Sequence, residues 1–175
     1  MTSTPPGPHG QTHWRLLFVC LGNICRSPLA AGVFRAVASE RNVLSRFTID
    51  SCGLGGWHVG EDADPRAAAV ARRHGITLNH RARQLAVPDD FERFDLLLAM
   101  DRQNVHGLLR AGGPPEKVRL LRTFEPVAPG MKAPQEPEVP DPYYGGPEGF
   151  DTVYAMVRRS CEGLLAALLT QEPPR

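Results

Sequence analysis

The sequence predicts an α/β fold: a four-stranded parallel sheet with helices on both faces, and a phosphate-binding loop between strand 1 and helix 1. Three observations predict it. Apolar runs of strand length alternate with segments of helical periodicity along the 175 residues. One of those runs, Asp95–Met100, is apolar enough to belong in the middle of a sheet covered on both faces. The third observation is local. Residues 16–28 read Leu-Leu-Phe-Val-Cys-Leu-Gly-Asn-Ile-Cys-Arg-Ser-Pro, a strand that runs into Cys20 and turns sharply into a helix.

Each element has its own warrant. Residues 1–13 are rich in Pro, Gly, Ser and Thr and read as a disordered tail before one domain over 14–172. Arg15–Cys20 is a buried strand. Ser27–Glu40 is a helix with Ala30, Val33, Phe34 and Val37 on one face. Phe47–Ser51 is the second strand, and Cys52–Asp62 a Gly-rich loop carrying Trp57. Asp64–His74 is a helix that Asp64 caps, Pro65 opens and Gly75 closes. After the third strand, Asp101–Arg110 is a helix ended by Gly112-Gly113-Pro114, and Val118–Leu121 is the fourth strand. Glu125–Pro140 is a Pro-rich surface excursion with few core formers. A helix from about Gly149 to Thr170 closes the chain, with Val153, Met156, Val157, Leu164, Leu165 and Leu168 inward. Sites in such sheets sit at the carboxyl ends of strands, so Cys20, Ser51 and Asp101 can converge.

Composition sets the class. A formal net charge of +1 gives no electrostatic case for nucleic acid or an anionic membrane as partner. With 42% hydrophobic and 22% charged residues the chain reads as an ordinary globular protein, and no apolar run approaches a membrane span. Cys20, Cys25, Cys52 and Cys161 lack the spacing of a zinc site and are too few for a secreted disulfide scaffold. With no secretory h-region, a cytoplasmic location is expected.

The turn after the first strand carries the chemistry. Cys-x5-Arg at a strand-to-helix junction lets backbone N–H groups and a helix N-terminus surround an oxyanion. Arg26 offers a planar fork for two phosphate oxygens. The same field favours a thiolate on Cys20, which makes it a nucleophile. Gly22 and Asn23 suit positive-φ positions, and Pro28 suits a first helical turn. The bland alternative is a buried strand cysteine followed by an unrelated arginine. The flanking strand and helix signals argue against it.

With these residues in view, the chain resembles the low-molecular-weight protein tyrosine phosphatases along nearly its whole length. Cys-Leu-Gly-Asn-Ile-Cys-Arg-Ser-Pro is similar to their phosphate-binding loop, and Asp141-Pro142-Tyr143-Tyr144-Gly145 to their general-acid loop. The segments His80–Gln84 and Met100-Asp101 also look like the family's. The tail and the excursion before Asp141 are the least family-like parts.

The resemblance implies a mechanism. Cys20 attacks phosphorus and a phosphocysteine forms. Arg26 and the loop of Leu21, Gly22, Asn23, Ile24 and Cys25 hold the oxygens, and Asp141 serves as acid and then base. Asp141 also fits a plain turn before Pro142. Ser27 either caps the helix or donates to the Cys20 sulfur, or does both. Asn23 braces the loop, with Ser51 and His80 bonded to it, although His80 also fits an ordinary surface or satisfied histidine. Asp101 caps its helix or lies near the loop. Trp57, Tyr143 and Leu21 wall an apolar slot deep enough to favour phosphotyrosine over the shorter phosphoserine, with Tyr144 in support and His58 at the rim. Cys25 is either a small core residue or the thiol that resolves an oxidised Cys20, which implies redox regulation. Cys52 and Cys161 read as structural. No cofactor or metal is implied, and the partners are phosphotyrosine-containing proteins.

Three rivals remain. A thiol-dependent arsenate reductase needs further cysteines near the loop, and Ala99–Arg110 has none. Phosphoarginine phosphatases in the resembled family tend to carry Thr where this chain has Ile24. A non-catalytic phosphate-binding module has no use for a nucleophile and an acid together.

Overall fold

The computed structural model describes residues 13–135 and 137–171. In chain order the elements are β1 (Trp14–Cys20), α1 (Arg26–Glu40), β2 (Phe47–Gly53), α2 (Pro65–Arg73), α3 (Asp89–Arg93), β3 (Leu96–Ala99), α4 (Arg102–Arg110), β4 (Val118–Leu120) and α5 (Pro147–Thr170). Short 3-10 turns at Leu44–Arg46 and Leu121–Phe124 lead into β2 and out of β4. Residues 1–12 of the expected tail lie outside the described residues. His13 is described, and its Nε2 is 2.8 Å from the Thr48 hydroxyl.

The sheet has the order β2-β1-β3-β4, with every pair parallel. Phe18 of β1 sits opposite Ser51 on one side and Leu98 on the other. The chain leaves β1 toward β2 and returns to β1's other edge as β3. The strand order therefore reverses beside β1, and the crevice at its carboxyl end is where such folds place ligands.

Side-chain alternation divides the interior in two. Leu16 and Phe18 of β1 and Leu98 of β3 join one core with Leu29, Val33 and Phe34 of α1 and with Phe150, Val157, Leu164 and Leu168 of α5. Leu17 and Val19 face the opposite side, with Leu97 and Ala99 of β3, Phe91, Phe94 and Leu108. Both faces are covered, which is why β1 and β3 carry continuous apolar runs rather than alternating ones.

Several boundaries depart from expectation for local reasons. α1 begins at Arg26, and its N-cap is Cys25, with no side-chain cap bond. Ser27 is therefore not the cap, and its hydroxyl is engaged elsewhere. The five-residue α3 was not foreseen, being too short to display a helical period. Met156 is half-buried, while the other inward residues expected on α5 are fully buried. The excursion is exposed in its middle but pinned at both ends. Arg122 binds the Glu125 carboxylate through Nε at 2.7 Å and the Glu138 carbonyl through Nη1 at 3.2 Å. Val139 is wholly buried, and its N–H donates to the Met100 carbonyl at 2.7 Å. The expectation of few core formers misses Val139, an apolar anchor among prolines.

Candidate active site at the carboxyl end of the sheet

The loop 20–26 is shaped by bonds to its carbonyls. The Cys20 and Leu21 carbonyls accept from the N–H groups of Leu54 and Gly55. The Asn23 carbonyl accepts from His80 Nε2 at 2.6 Å, and the Ile24 carbonyl from the Asp64 N–H at 2.8 Å. A trans peptide carries its N–H opposite its C=O. Fixing these carbonyls against the surrounding protein turns the N–H groups of Gly22, Ile24 and Cys25 the other way. All three residues line a cavity of about 320 Å³. The result is a concave row of donors suited to an oxyanion.

Asn23 is the brace. Its φ of 59° is left-handed, which Asn tolerates better than most residues. Gly22, expected at a positive φ as well, does not adopt one, and its lack of a side chain instead leaves room for the His58 ring, 3.0 Å from where a Cβ would sit. Its side-chain amide donates to Ser27 Oγ at 2.8 Å and to Ser51 Oγ at 3.0 Å, and its Oδ1 accepts the Arg83 N–H at 2.9 Å. Burial lowers the His80 pKa, only partly offset by its bond to Asn23, so the ring is neutral at pH 7 with the proton on Nε2. The structure thus puts Asn23, Ser27, Ser51 and His80 into one network.

Cys20 ends β1 with 3% of its surface exposed. Its sulfur lies 3.0 Å from Ser27 Oγ and accepts the Asn23 N–H at 3.3 Å. Arg26 is equally buried. Its Nη1 donates to Asp101 Oδ2 at 2.6 Å and to the Val139 carbonyl at 3.1 Å, and its Nη2 is 3.4 Å from Asp141 Oδ2. Burial works against the Arg26 charge, but Cys20, Asp101 and Asp141 outweigh it and raise the pKa, so the guanidinium stays charged. Asp101 fills both expected places. It caps α4 through a reciprocal box with Asn104 and pairs with Arg26.

Asp141 also fits both of its readings. Its Oδ1 accepts the Tyr143 N–H at 3.1 Å, which makes the turn, while Oδ2 faces Arg26. Leu21, Trp57, His58, Tyr143 and Tyr144 complete the cavity wall. Trp57 is 70% exposed and Tyr144 92%, so neither is core. The Trp57 ring lies so close to Gly55 that a Cβ there would sit 1.8 Å from it. The absence of a side chain at Gly55 is what lets the indole come this close to the backbone.

Three supports escaped the sequence reading. Arg83 bonds Asn23 through its backbone while its side chain spans Asp50 and Asp90. Val139 hands its carbonyl to Arg26. Arg66 ties α2 to the acid loop, donating to the carbonyls of Tyr143 and Gly145 at 3.0 and 3.3 Å and to Asp64 at 2.9 Å. The last pair had a partial signal, since Asp64 was legible as a cap. The others join residues 60 to 113 positions apart and leave no local pattern. Cys25 lines the cavity, and burial together with nearby Asp64 pushes its thiol pKa well up. Cys52 and Cys161 are wholly buried. Among the described residues, no helix is long and apolar enough to cross a membrane, and no His/Cys/Asp/Glu group is arranged to hold a metal.

Known proteins resemble this chain in sequence and fold. A family model described as low molecular weight phosphotyrosine protein phosphatase matches residues 15–173. A low molecular weight protein-tyrosine-phosphatase of Streptomyces coelicolor is 46% identical over 162 residues, 90% of this chain and 95% of the relative. A solved protein tyrosine phosphatase from Entamoeba histolytica superposes with a TM-score of 0.80 at 36% identity, over 89% of this chain and 96% of its own. A solved Drosophila arginine phosphatase does so with a TM-score of 0.79 at 32% identity, over 90% and 99%. Fold and near full-length sequence similarity agree, and the chain belongs to the low molecular weight phosphotyrosine protein phosphatase family.

Proposed function

We propose that this protein hydrolyses phosphotyrosine in proteins through a phosphocysteine on Cys20. One observation carries the reading: Cys20, Arg26 and Asp141 open onto a single cavity that Trp57 and Tyr143 wall. The loop N–H groups and the Nε–Nη2 edge of Arg26 hold the three equatorial oxygens of the phosphoryl group. The Cys20 thiolate, held by Ser27 and the Asn23 N–H, attacks phosphorus in line. The P–O bond to tyrosine breaks, and Asp141 gives its proton to the departing phenolate. Water then attacks the phosphocysteine, Asp141 takes the water proton, and the P–S bond breaks to return the thiolate and inorganic phosphate.

The aryl ring of the substrate fits between Trp57 and Tyr143, and Ile24 adds an apolar group at the cavity floor. Phosphoarginine is the second reading, supported by the likeness to the Drosophila arginine phosphatase. Ile24 and the two aromatic walls favour the aryl substrate. The decisive experiment measures turnover of phosphotyrosine and phosphoarginine peptides by wild type, Cys20→Ser and Asp141→Asn. Cys20→Ser loses turnover by at least about 10⁴-fold yet still binds vanadate. Asp141→Asn slows phenyl phosphate by about 10²–10⁴-fold and slows esters of very acidic phenols less. Near wild-type turnover by Cys20→Ser eliminates the nucleophile assignment. Equal losses across the leaving-group series make Asp141 structural, and faster phosphoarginine turnover selects the second reading.

The four cysteines are free thiols, which supports a reducing, cytoplasmic compartment. Cys25 in the same loop supports reversible oxidation. Peroxide converts the Cys20 thiolate to a sulfenic acid, and Cys25 attacks that sulfur, expelling water and forming a disulfide that a thiol reductant reopens. The raised Cys25 pKa makes the second step slow at neutral pH and faster at alkaline pH. Mass spectrometry of peroxide-treated enzyme is expected to find a Cys20–Cys25 link whose yield rises with pH. A sulfinic acid on Cys20 with Cys25 free, at every pH, leaves Cys25 as a packing residue only.

A further inference from the structure

Beside the catalytic cavity lies a second cleft of about 880 Å³ that the mechanism does not use. The two share Leu21, Arg26, Trp57 and Asp141, so they are continuous. One wall of the second cleft is apolar and open to solvent: Leu21 is 46% exposed, Trp57 70% and Val87 51%. The other wall is α4. His106 and Arg110 of that helix line the cleft. They are four residues apart and share a helix face. Both are exposed, and among the described residues neither side chain makes a hydrogen bond or an ion pair. The acids that reach the cleft, Asp101 and Asp141, are the two already facing Arg26 at its catalytic end. The α4 side thus carries an uncompensated guanidinium.

We infer that this cleft takes the residues flanking the phosphotyrosine of the substrate protein, and that Arg110 selects a carboxylate side chain among them. The inference rests on the phosphotyrosine reading and deepens it. A phosphotyrosine seated on the loop leaves its backbone at the cavity mouth. The polypeptide continues over Leu21 and Trp57, the wall common to both spaces, and its apolar side chains cover Val87. An Asp or Glu placed there meets Arg110 across the cleft. The pair is partly exposed, so its worth is modest and falls with salt.

The test uses one phosphotyrosine peptide with Glu, Gln or Lys placed singly at each of the three positions on either side. Each peptide, along with p-nitrophenyl phosphate, is assayed with wild type, Arg110→Gln and Arg110→Glu. At one position Glu is expected to raise kcat/KM over Gln by about two- to fivefold, through KM, and the gain shrinks at high salt. Arg110→Gln abolishes the gain, and Arg110→Glu transfers it to Lys at that same position. p-Nitrophenyl phosphate, which is too small to reach α4, is hydrolysed alike by all three enzymes. Equal rates for Glu, Gln and Lys at every position overturn the inference and leave the phosphotyrosine reading standing. So does a Glu preference that survives in Arg110→Glu. Hydrolysis of p-nitrophenyl phosphate with none of the peptides overturns both.

Discussion

The floor and the rim of the catalytic cavity are built on opposite plans. Every polar side chain of the floor is shared. Asn23 alone joins Ser27, Ser51 and Arg83, and its carbonyl holds His80. Arg26 is fixed by Asp101 and Val139, and the residues 23–27 are buried. The rim is different. Trp57, Tyr143 and Tyr144 are exposed, and the acid loop leans on Arg66 from outside. A transition state needs donors that do not move while charge spreads, so the floor is over-determined. A rim that admits proteins of varied shape needs few fixed contacts. Damage to the floor therefore falls on kcat, and damage to the aromatic rim of Trp57, Tyr143 and Tyr144 on KM.

Short of removing the nucleophile or the acid, the largest expected effect strikes the floor without altering its charge. Arg26→Lys keeps a cation but loses the fork, and kcat for p-nitrophenyl phosphate falls by about 10²–10³-fold. Retention of full activity would remove the bidentate role. Next comes the brace. Asn23→Gly keeps the left-handed φ but leaves Ser51 and the Arg83 N–H without their partner. Unfolding free energy drops by about 2–4 kcal/mol, as for buried groups left unsatisfied. Asn23→Ala adds about 1–2 kcal/mol of backbone strain. Urea melts of the two variants separate bonding from strain, and equal stabilities would mean the φ carries no cost.

The smallest effect belongs to the rim. Arg66→Ala frees the acid loop from α2 and loosens Asp141, so kcat for phenyl phosphate falls about fivefold and kcat for esters of very acidic phenols falls less, with vanadate affinity unchanged. A fall in vanadate affinity would show that the rim also shapes the floor. The same variant has a pH signature. Burial alone would raise the Asp64 pKa, but its bonds to Arg66 hold it below the ordinary 3.8. A depressed carboxyl stabilises the fold above its unfolded pKa, and that contribution is lost as pH falls through the lower folded value. Wild type is thus the more stable at pH 7, and the difference narrows below about pH 4 to what the bonds to the Tyr143 and Gly145 carbonyls contribute.

How much of this was legible follows from sequence distance. The floor's own residues lie within one strand-turn-helix, so Cys20, Asn23 and Arg26 could be read from a stretch of chain, whereas the positive φ expected at Gly22 is not adopted. The sheet was legible for a similar reason, because continuous apolar runs mark strands covered on both faces. Asp64 and Asp101 were legible as caps, since capping is a local act. Of its two readings, the bond of Ser27 to the Cys20 sulfur holds, while Ser27 as a cap misled for that same reason. It is the residue type that caps helices, yet the network of Asn23 and Cys20 claims its hydroxyl and the helix starts one residue earlier. Arg83, Arg66 and Val139 were illegible in their roles, because each acts on a partner that only the closed sheet brings near.

Arg122 draws the two ends of the Pro-rich excursion together, with Glu125 on one nitrogen and the Glu138 carbonyl on another. That single side chain makes a neck. What lies beyond the neck is mechanically decoupled from the acid that follows it, because Val139 is already locked to Met100. The cost of closing a flexible loop grows only logarithmically, about 0.6 kcal/mol for each doubling of length. The segment between Glu125 and Glu138 is therefore a graft point. A peptide tag or a small domain inserted there would ride on the outside of the molecule, while Asp141 kept its aim.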